Sequence, residues 1–202
     1  MLLNTVPRGK RNALGTAFSG NTLITRFFEF AHFGATTLAE NSFRDATALE
    51  YIKLPSTLLT AAGYVFFNCP LFHGDENNAI VFPDGFQKGS SANMYLTSTT
   101  TNVDVIVVPE TCTILGGNGF INSNNIKALI LKRGEVEGQY TGVQYRGTIY
   151  QYSSSFRVYV PDDAVNTYKS AGNWNQRSSL IYGHSQLAID HPEYYERYIE
   201  AD

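Results

Sequence analysis

The sequence predicts a mainly β chain, a β/α solenoid of about seven stacked units closed at its C-terminus by a helical cap. A recurring marker is the first reason. The residue after each strand-like run is Pro7, Ala31, Pro55, Pro83, Pro109, Lys132 and Pro161, at intervals of 24, 24, 28, 26, 23 and 29. A period between about 20 and 50 residues is the signature of units that cover one another's apolar faces. Composition is the second reason. Thirteen Tyr, thirteen Phe and 17 Gly, with only 16% charged residues, describe a folded, turn-rich chain suited to pleated surfaces. The third is spacing within each unit. Residues one and three before the marker are Val6/Asn4, Phe30/Phe28, Leu54/Ile52, Phe82/Ile80, Val108/Ile106, Leu131/Leu129 and Val160/Val158. Two-residue spacing puts each pair on one strand face, and these pairs form the inward ladder.

The parts of a unit follow in chain order. Proline at the marker lacks an N–H and fixes φ, so it suits a strand end. Next, the Gly63/Gly117 column is expected to turn the chain. About eleven residues after most markers stands a large apolar residue, Phe18, Phe43, Phe66, Met94, Phe120 or Val143, that returns as a buried plug. The clearest units are "LEYIKLPSTLLTAAGYVFFNC" (49–69) and "VDVIVVPETCTILGGNGFINS" (103–123). Without a gap they share Ile52/Ile106, Pro55/Pro109, Thr57/Thr111, Gly63/Gly117, Phe66/Phe120 and Asn68/Asn122.

The run "ALEYIKLPSTLLTAAGYVFFNC" resembles the BspA-like leucine-rich repeat, with its apolar strand, Pro, Gly turn and "AF..C" corner. "FRVYVPDDAVNTYKSAGNW" is similar to the segment that closes many such arrays. The resemblance spans about residues 1 to 180, clearest at 43–69, 103–123 and 156–174 and weak at 70–102 and 133–155. It implies a right-handed leucine-rich-repeat-like solenoid with a parallel sheet and no conserved catalytic machinery. It also implies adhesion or recognition at bacterial surfaces.

The closing cap begins near residue 156. "DDAVNTYKSAG" reads as a short helix, with Asp162 or Asp163 at its start and Gly172 at its stop. Val165, Tyr168 and Trp174 are placed to seal the open end. Residues 181–202 read as a tail in which the repeat is gone. There "DHPEYYERYIEAD" forms a second short helix, with Asp190 and Glu193 as a capping pair, Pro192 in its first turn, and an aromatic side of Tyr194/Tyr198 and Tyr195/Ile199. This side packs back on the cap or docks on a neighbouring subunit.

Candidate binding residues lie on the outward face. Two before the marker stand Val81, Val107, Ile130 and Tyr159, an apolar stripe flanked by Phe27, Tyr51 and Val105. Exposed apolar patches of that size mark partner sites. The other reading is core covered by an insertion loop, such as the Tyr-rich segment 134–155, whose Tyr140, Tyr145, Tyr150 and Tyr152 are themselves candidates for an interface. Val107→Asp separates the two. A folded monomer that loses its partner supports a surface, and an unfolded one sinks it.

Catalysis finds little footing. There is no GxSxG, HExxH or P-loop motif, and His32, His73, His184 and His191 are scattered. Glycoside cleavage needs two carboxylates, whereas the outward positions two and four before the markers offer only Glu29. Cys69 and Cys112 read as buried free thiols, and no metal or cofactor is expected. A net charge of −3 argues against nucleic acid, and no apolar run suffices for a transmembrane helix. The expectation is therefore a non-enzymatic protein-binding or adhesion module whose partner is a protein or glycan on a cell surface. The alternative is a bacteriophage virion protein, tail or capsid-associated, that meets neighbouring subunits or a receptor; a carbohydrate-active enzyme ranks below both. "MLLNTVPRGKRNALG" has its charges in the wrong order for a secretory signal. The compartment stays open: cell surface if the chain belongs to a longer exported protein, virion if phage-encoded.

Overall fold

The protein is described by a computed structural model over residues 13–14, 16–28, 34–89, 102–116, 125–134, 142–146 and 154–201. Its strands are short, and every ladder is parallel. One sheet stacks β1 (Ala13–Leu14), β3 (Thr37–Leu38), β5 (Thr60–Ala61), β7 (Lys88–Gly89), β9 (Ile114–Gly116) and β11 (Gln144–Arg146) in that order. A second stacks β6 (Ala79–Val81), β8 (Val105–Val108), β10 (Ala128–Leu131), β12 (Arg157–Val160) and β13 (Ile181–Gly183). A two-stranded sheet pairs β2 (Arg26–Phe27) with β4 (Tyr51–Ile52), and a single bridge from Tyr51 to Gly74 continues it. From β6 to β12 the chain alternates between the two larger sheets, so each rung contributes a strand to both.

The register of the five-stranded sheet follows the intervals of the sequence. Ala79 pairs with Val105, Val105 with Ala128, and Ala128 with Arg157. Consequently Ile80, Phe82, Ile106, Val108, Leu129, Leu131, Val158 and Val160 all point into the main core. At an approximate spacing of 4.8 Å between rungs, each of these side chains lies against its counterpart.

Outside the sheets the rungs also stack. Phe18 and Phe43 lie parallel with ring centroids 5.2 Å apart, Phe43 and Phe66 at 5.5 Å, and Phe66 and Phe72 at 4.3 Å. The Phe18, Phe43 and Phe66 plugs thus form a ladder of stacked rings that Phe72 extends. The Thr57/Thr111 column acts as a staple. Thr57 Oγ1 donates to the Ala35 carbonyl at 2.9 Å and Thr111 Oγ1 to the Phe86 carbonyl at 2.9 Å, each a bond to the preceding rung. Asn68 has a similar role, its Nδ2 donating to Asp45 Oδ1 at 2.7 Å. Cys69 and Cys112 are free and buried, and burial pushes both thiols up to about 12.

Gly63 lies in a turn as expected, and its neighbour Tyr64 (φ 57), which matches Asn41 (φ 62) one rung earlier, takes the left-handed conformation. Three expectations are corrected. Phe27 pairs with Ile52 rather than Tyr51, one residue off the expected register. A one-residue slip exchanges the two faces, so Phe27 enters the core and Arg26 takes the outward slot over the Tyr51 ring at 5.1 Å. Phe28 is correspondingly only half-buried. The sheet does not end at residue 180, since β13 adds a further strand, pairing Ile181 with Val158. Asp162 caps no side of its own turn; its carboxylate accepts from Ser185 N and, at 2.7 Å, from Ser185 Oγ.

The cap closes the core as the sequence suggests. A 3₁₀ turn (Asp162–Ala164) runs into α1 (Val165–Ser170), followed by 3₁₀ structure over Gly172–Leu180. Tyr168 and Trp174 are fully buried and meet edge to face, with centroids 5.7 Å apart. Both hold the backbone of Val143. The Val143 N–H donates to Tyr168 Oη at 2.8 Å, and Trp174 Nε1 donates to the Val143 carbonyl at 2.7 Å. Tyr168 Oη passes its own hydrogen to the Arg133 carbonyl at 2.9 Å.

Candidate binding surface

The outward ladder of the five-stranded sheet is where sequence reasoning looked for a partner, and the chain itself covers it. After β13 come α2 (His184–Asp190), α3 (Pro192–Tyr195) and a wide π turn (Glu196–Glu200). Leu187, Tyr194 and Tyr198 from this tail form one buried cluster with Ala79, Val105, Val107, Ala128, Ile130 and Tyr159. Val81, Tyr182, Tyr195 and Ile199 border it half-buried. Val107 is 1% exposed, and Val105, Ile130 and Tyr159 are fully buried. The stripe is therefore core, and the covering segment is the tail rather than an insertion loop. The tail packs on the sheet rather than on the cap. Asp190, expected to start a helix, instead ends α2 and accepts a hydrogen bond from Tyr159 Oη at 2.9 Å. Burial, then that carboxylate, raises the Tyr159 phenol well above its ordinary range.

The remaining candidates separate. Tyr51 is half-buried and stacks on His73 at 5.2 Å, so it lies apart from the covered stripe, while Phe27 belongs to the main core. Tyr145 lies on β11, but its side chain, with Tyr140, Tyr150, Tyr152 and Glu29, is outside the described residues.

The six-stranded sheet has a different outer face. Inward it places Leu38, Ala61, Gly89 and Leu115, all buried. Outward it places Thr37, Thr60, Lys88, Ile114 and Gln144, half-buried or exposed and aligned by the pairings. Thr60 Oγ1 donates to Thr37 Oγ1 at 3.0 Å, so the two hydroxyls form a short ladder. Apart from Ile114, which sits between Lys88 and Gln144, these side chains are hydroxyl, ammonium and amide groups. None is a carboxylate, a nucleophile with a base beside it, or a metal ligand. They suit hydrogen bonding to a flat partner. The sequence reading missed this face because its strands are two or three residues long and read as turns, as at Lys88–Gly89.

At the N-terminal ends of the five-stranded sheet is a polar cleft. There His73 Nδ1 lies 3.1 Å from Asn78 Oδ1, and Lys127 Nζ lies 3.1 Å from Asp104 Oδ2. Its groups satisfy one another. His184, at the opposite end, donates through Nε2 to the Leu131 carbonyl at 3.1 Å, and burial lowers its basicity. Among the described residues no group of three or more His, Cys, Asp or Glu is placed to hold a metal ion. No described helix is long and apolar enough to cross a membrane. In comparisons with known proteins, no family model and no curated protein matches the chain.

Proposed function

We propose that the chain is a non-enzymatic recognition or adhesion module, a right-handed leucine-rich-repeat-like solenoid of about seven units that meets its partner through the outer face of the six-stranded sheet. The observation that carries this reading is the asymmetry of the two sheets. The apolar outer face is occupied by the chain's own tail, while the other, mostly polar, presents Thr37, Thr60, Lys88 and Gln144 with one apolar residue, Ile114, among them. Right-handed crossovers are the rule for parallel strands joined in this way, and the constant columns supply a stiff scaffold on which outward residues can vary without cost to the core. A protein or glycan at a cell surface is the partner class, and a net charge of −3 speaks against nucleic acid.

The test is binding of the fluorescently labelled chain to whole bacterial cells and to fibronectin- and mucin-coated plates. Thr60→Glu and Lys88→Glu are compared with the parent after circular dichroism has shown an unchanged fold. Binding that both substitutions abolish supports the reading. Binding indifferent to them overturns it.

A further inference from the structure

We propose a second binding site, for a neutral oligosaccharide, in a trough across the C-terminal ends of the five-stranded sheet. This inference does not rest on the six-stranded sheet being the recognition face. Three adjoining cavities make the trough, of about 510, 370 and 540 Å³. The first and second share Ser56, Val81 and Pro83, and the second and third share Asp84, Pro109 and Lys132. The trough thus runs from Lys53, beside β4, to Pro161 and His184, beside β12. From β6 to β12 that is three rung spacings, about 14 Å at roughly 4.8 Å each. Each cavity falls within the size range of small-molecule sites.

The backbone along this line has little to offer a ligand. Pro55, Pro83, Pro109 and Pro161 have no N–H. Their carbonyls already accept turn bonds from Leu58 N (3.0 Å), Phe86 N (2.8 Å), Cys112 N (3.1 Å) and Ala164 N (3.0 Å). A peptide that adds a strand needs main-chain donors and acceptors, and these rungs end without them. Recognition in the trough therefore passes through side chains. Its floor is apolar, with Leu54, Val81, Pro83 and Pro109 suited to the C–H face of a sugar ring. Its polar groups are balanced: Lys53, Lys132 and Arg197 against Asp75, Asp84 and Glu110. Donors and acceptors with no net formal charge fit hydroxyls better than a carboxylate or a phosphate. Tyr198 borders the central cavity at 7% exposure, with its hydroxyl buried beneath the surface of the trough.

The experiment is isothermal titration calorimetry of the full chain with maltohexaose, cellohexaose, xylohexaose and mannohexaose. Trigalacturonate and a proline-rich decapeptide serve as contrasts. At least one neutral hexasaccharide should bind, and Asp84→Asn and Arg197→Gln, both at exposed side chains, should each weaken it roughly tenfold through loss of a charge-assisted hydrogen bond. Lys88→Glu, on the other sheet, should leave it unchanged. Three results overturn the site: no neutral sugar binding up to about 10 mM, tighter binding of the acidic sugar or the peptide, or sugar binding indifferent to both trough substitutions.

Discussion

Val107→Asp tests the central structural claim, that the apolar outward ladder is sealed by the tail. Val107 is 1% exposed, pairs in register with Val81 and Ile130, and shares its cluster with Leu187, Tyr194 and Tyr198. Keeping a carboxylate ionised in such surroundings costs roughly 4–7 kcal/mol at neutral pH. The whole domain is expected to hold only about 5–15 kcal/mol. The tail is the cheaper route of escape. Its three buried side chains contribute roughly 1.5–3 kcal/mol each, from which the ordering of the segment must be subtracted. The variant should thus keep its stacked rungs and release residues 184–201. Hydrogen exchange should show the tail unprotected and β8 to β12 still protected, and trypsin should cut at Arg197. The carboxyl's folded pKa is raised by burial, so the deficit is largest at neutral pH and shrinks as pH falls toward the ordinary carboxylate range. A Val107→Asp protein with parental stability, a protected tail and no pH dependence would refute the claim that this face is covered.

Further expectations concern the scaffold and the trough. Phe66→Ala removes the middle ring of the Phe43–Phe66–Phe72 stack and should cost about 3–5 kcal/mol in urea unfolding; a loss below about 1 kcal/mol would mean the rings do not share a packed column. Tyr168→Phe keeps the ring but leaves the Val143 N–H and the Arg133 carbonyl without this partner. It should cost roughly 1–3 kcal/mol, followed by the fluorescence of Trp174, and an unchanged midpoint would count against the cap's role. Tyr198→Phe should leave stability equal or raise it by up to about 1–3 kcal/mol, because it removes a buried hydroxyl with no partner; clear destabilisation would show that the hydroxyl is bonded. Burial raises both thiols to about 12 from an ordinary 9.0. Cys69 and Cys112 should resist Ellman's reagent at pH 8 until urea unfolds the chain. The stability they confer is intact below about pH 9 and lost as pH climbs toward about 12; prompt reaction in the native state would contradict their burial.

What the sequence determined by itself was the repeating part. Pro83, Pro109, Lys132 and Pro161 predict the register of the five-stranded sheet, because a parallel stack repeats one spacing and each rung must present its apolar pair inward. The Phe18, Phe43 and Phe66 plugs were legible for the same reason, and so were Tyr168 and Trp174 as a seal. Where two neighbouring residues could both serve, the pattern failed. Phe27 and Phe28 are both apolar, and the Arg26 on the N-terminal side decided which one turned inward. Tertiary structure alone decided what the outward ladder is for. Val107 and Ile130 announce a surface to be covered, and Tyr194 and Tyr198 announce a segment to be buried. Their meeting joins residues far apart in the chain, and no local period encodes it. That contact covers the apolar outer face, while Thr37, Thr60 and Lys88 on the outer face of the other sheet stay half-buried or exposed among the described residues.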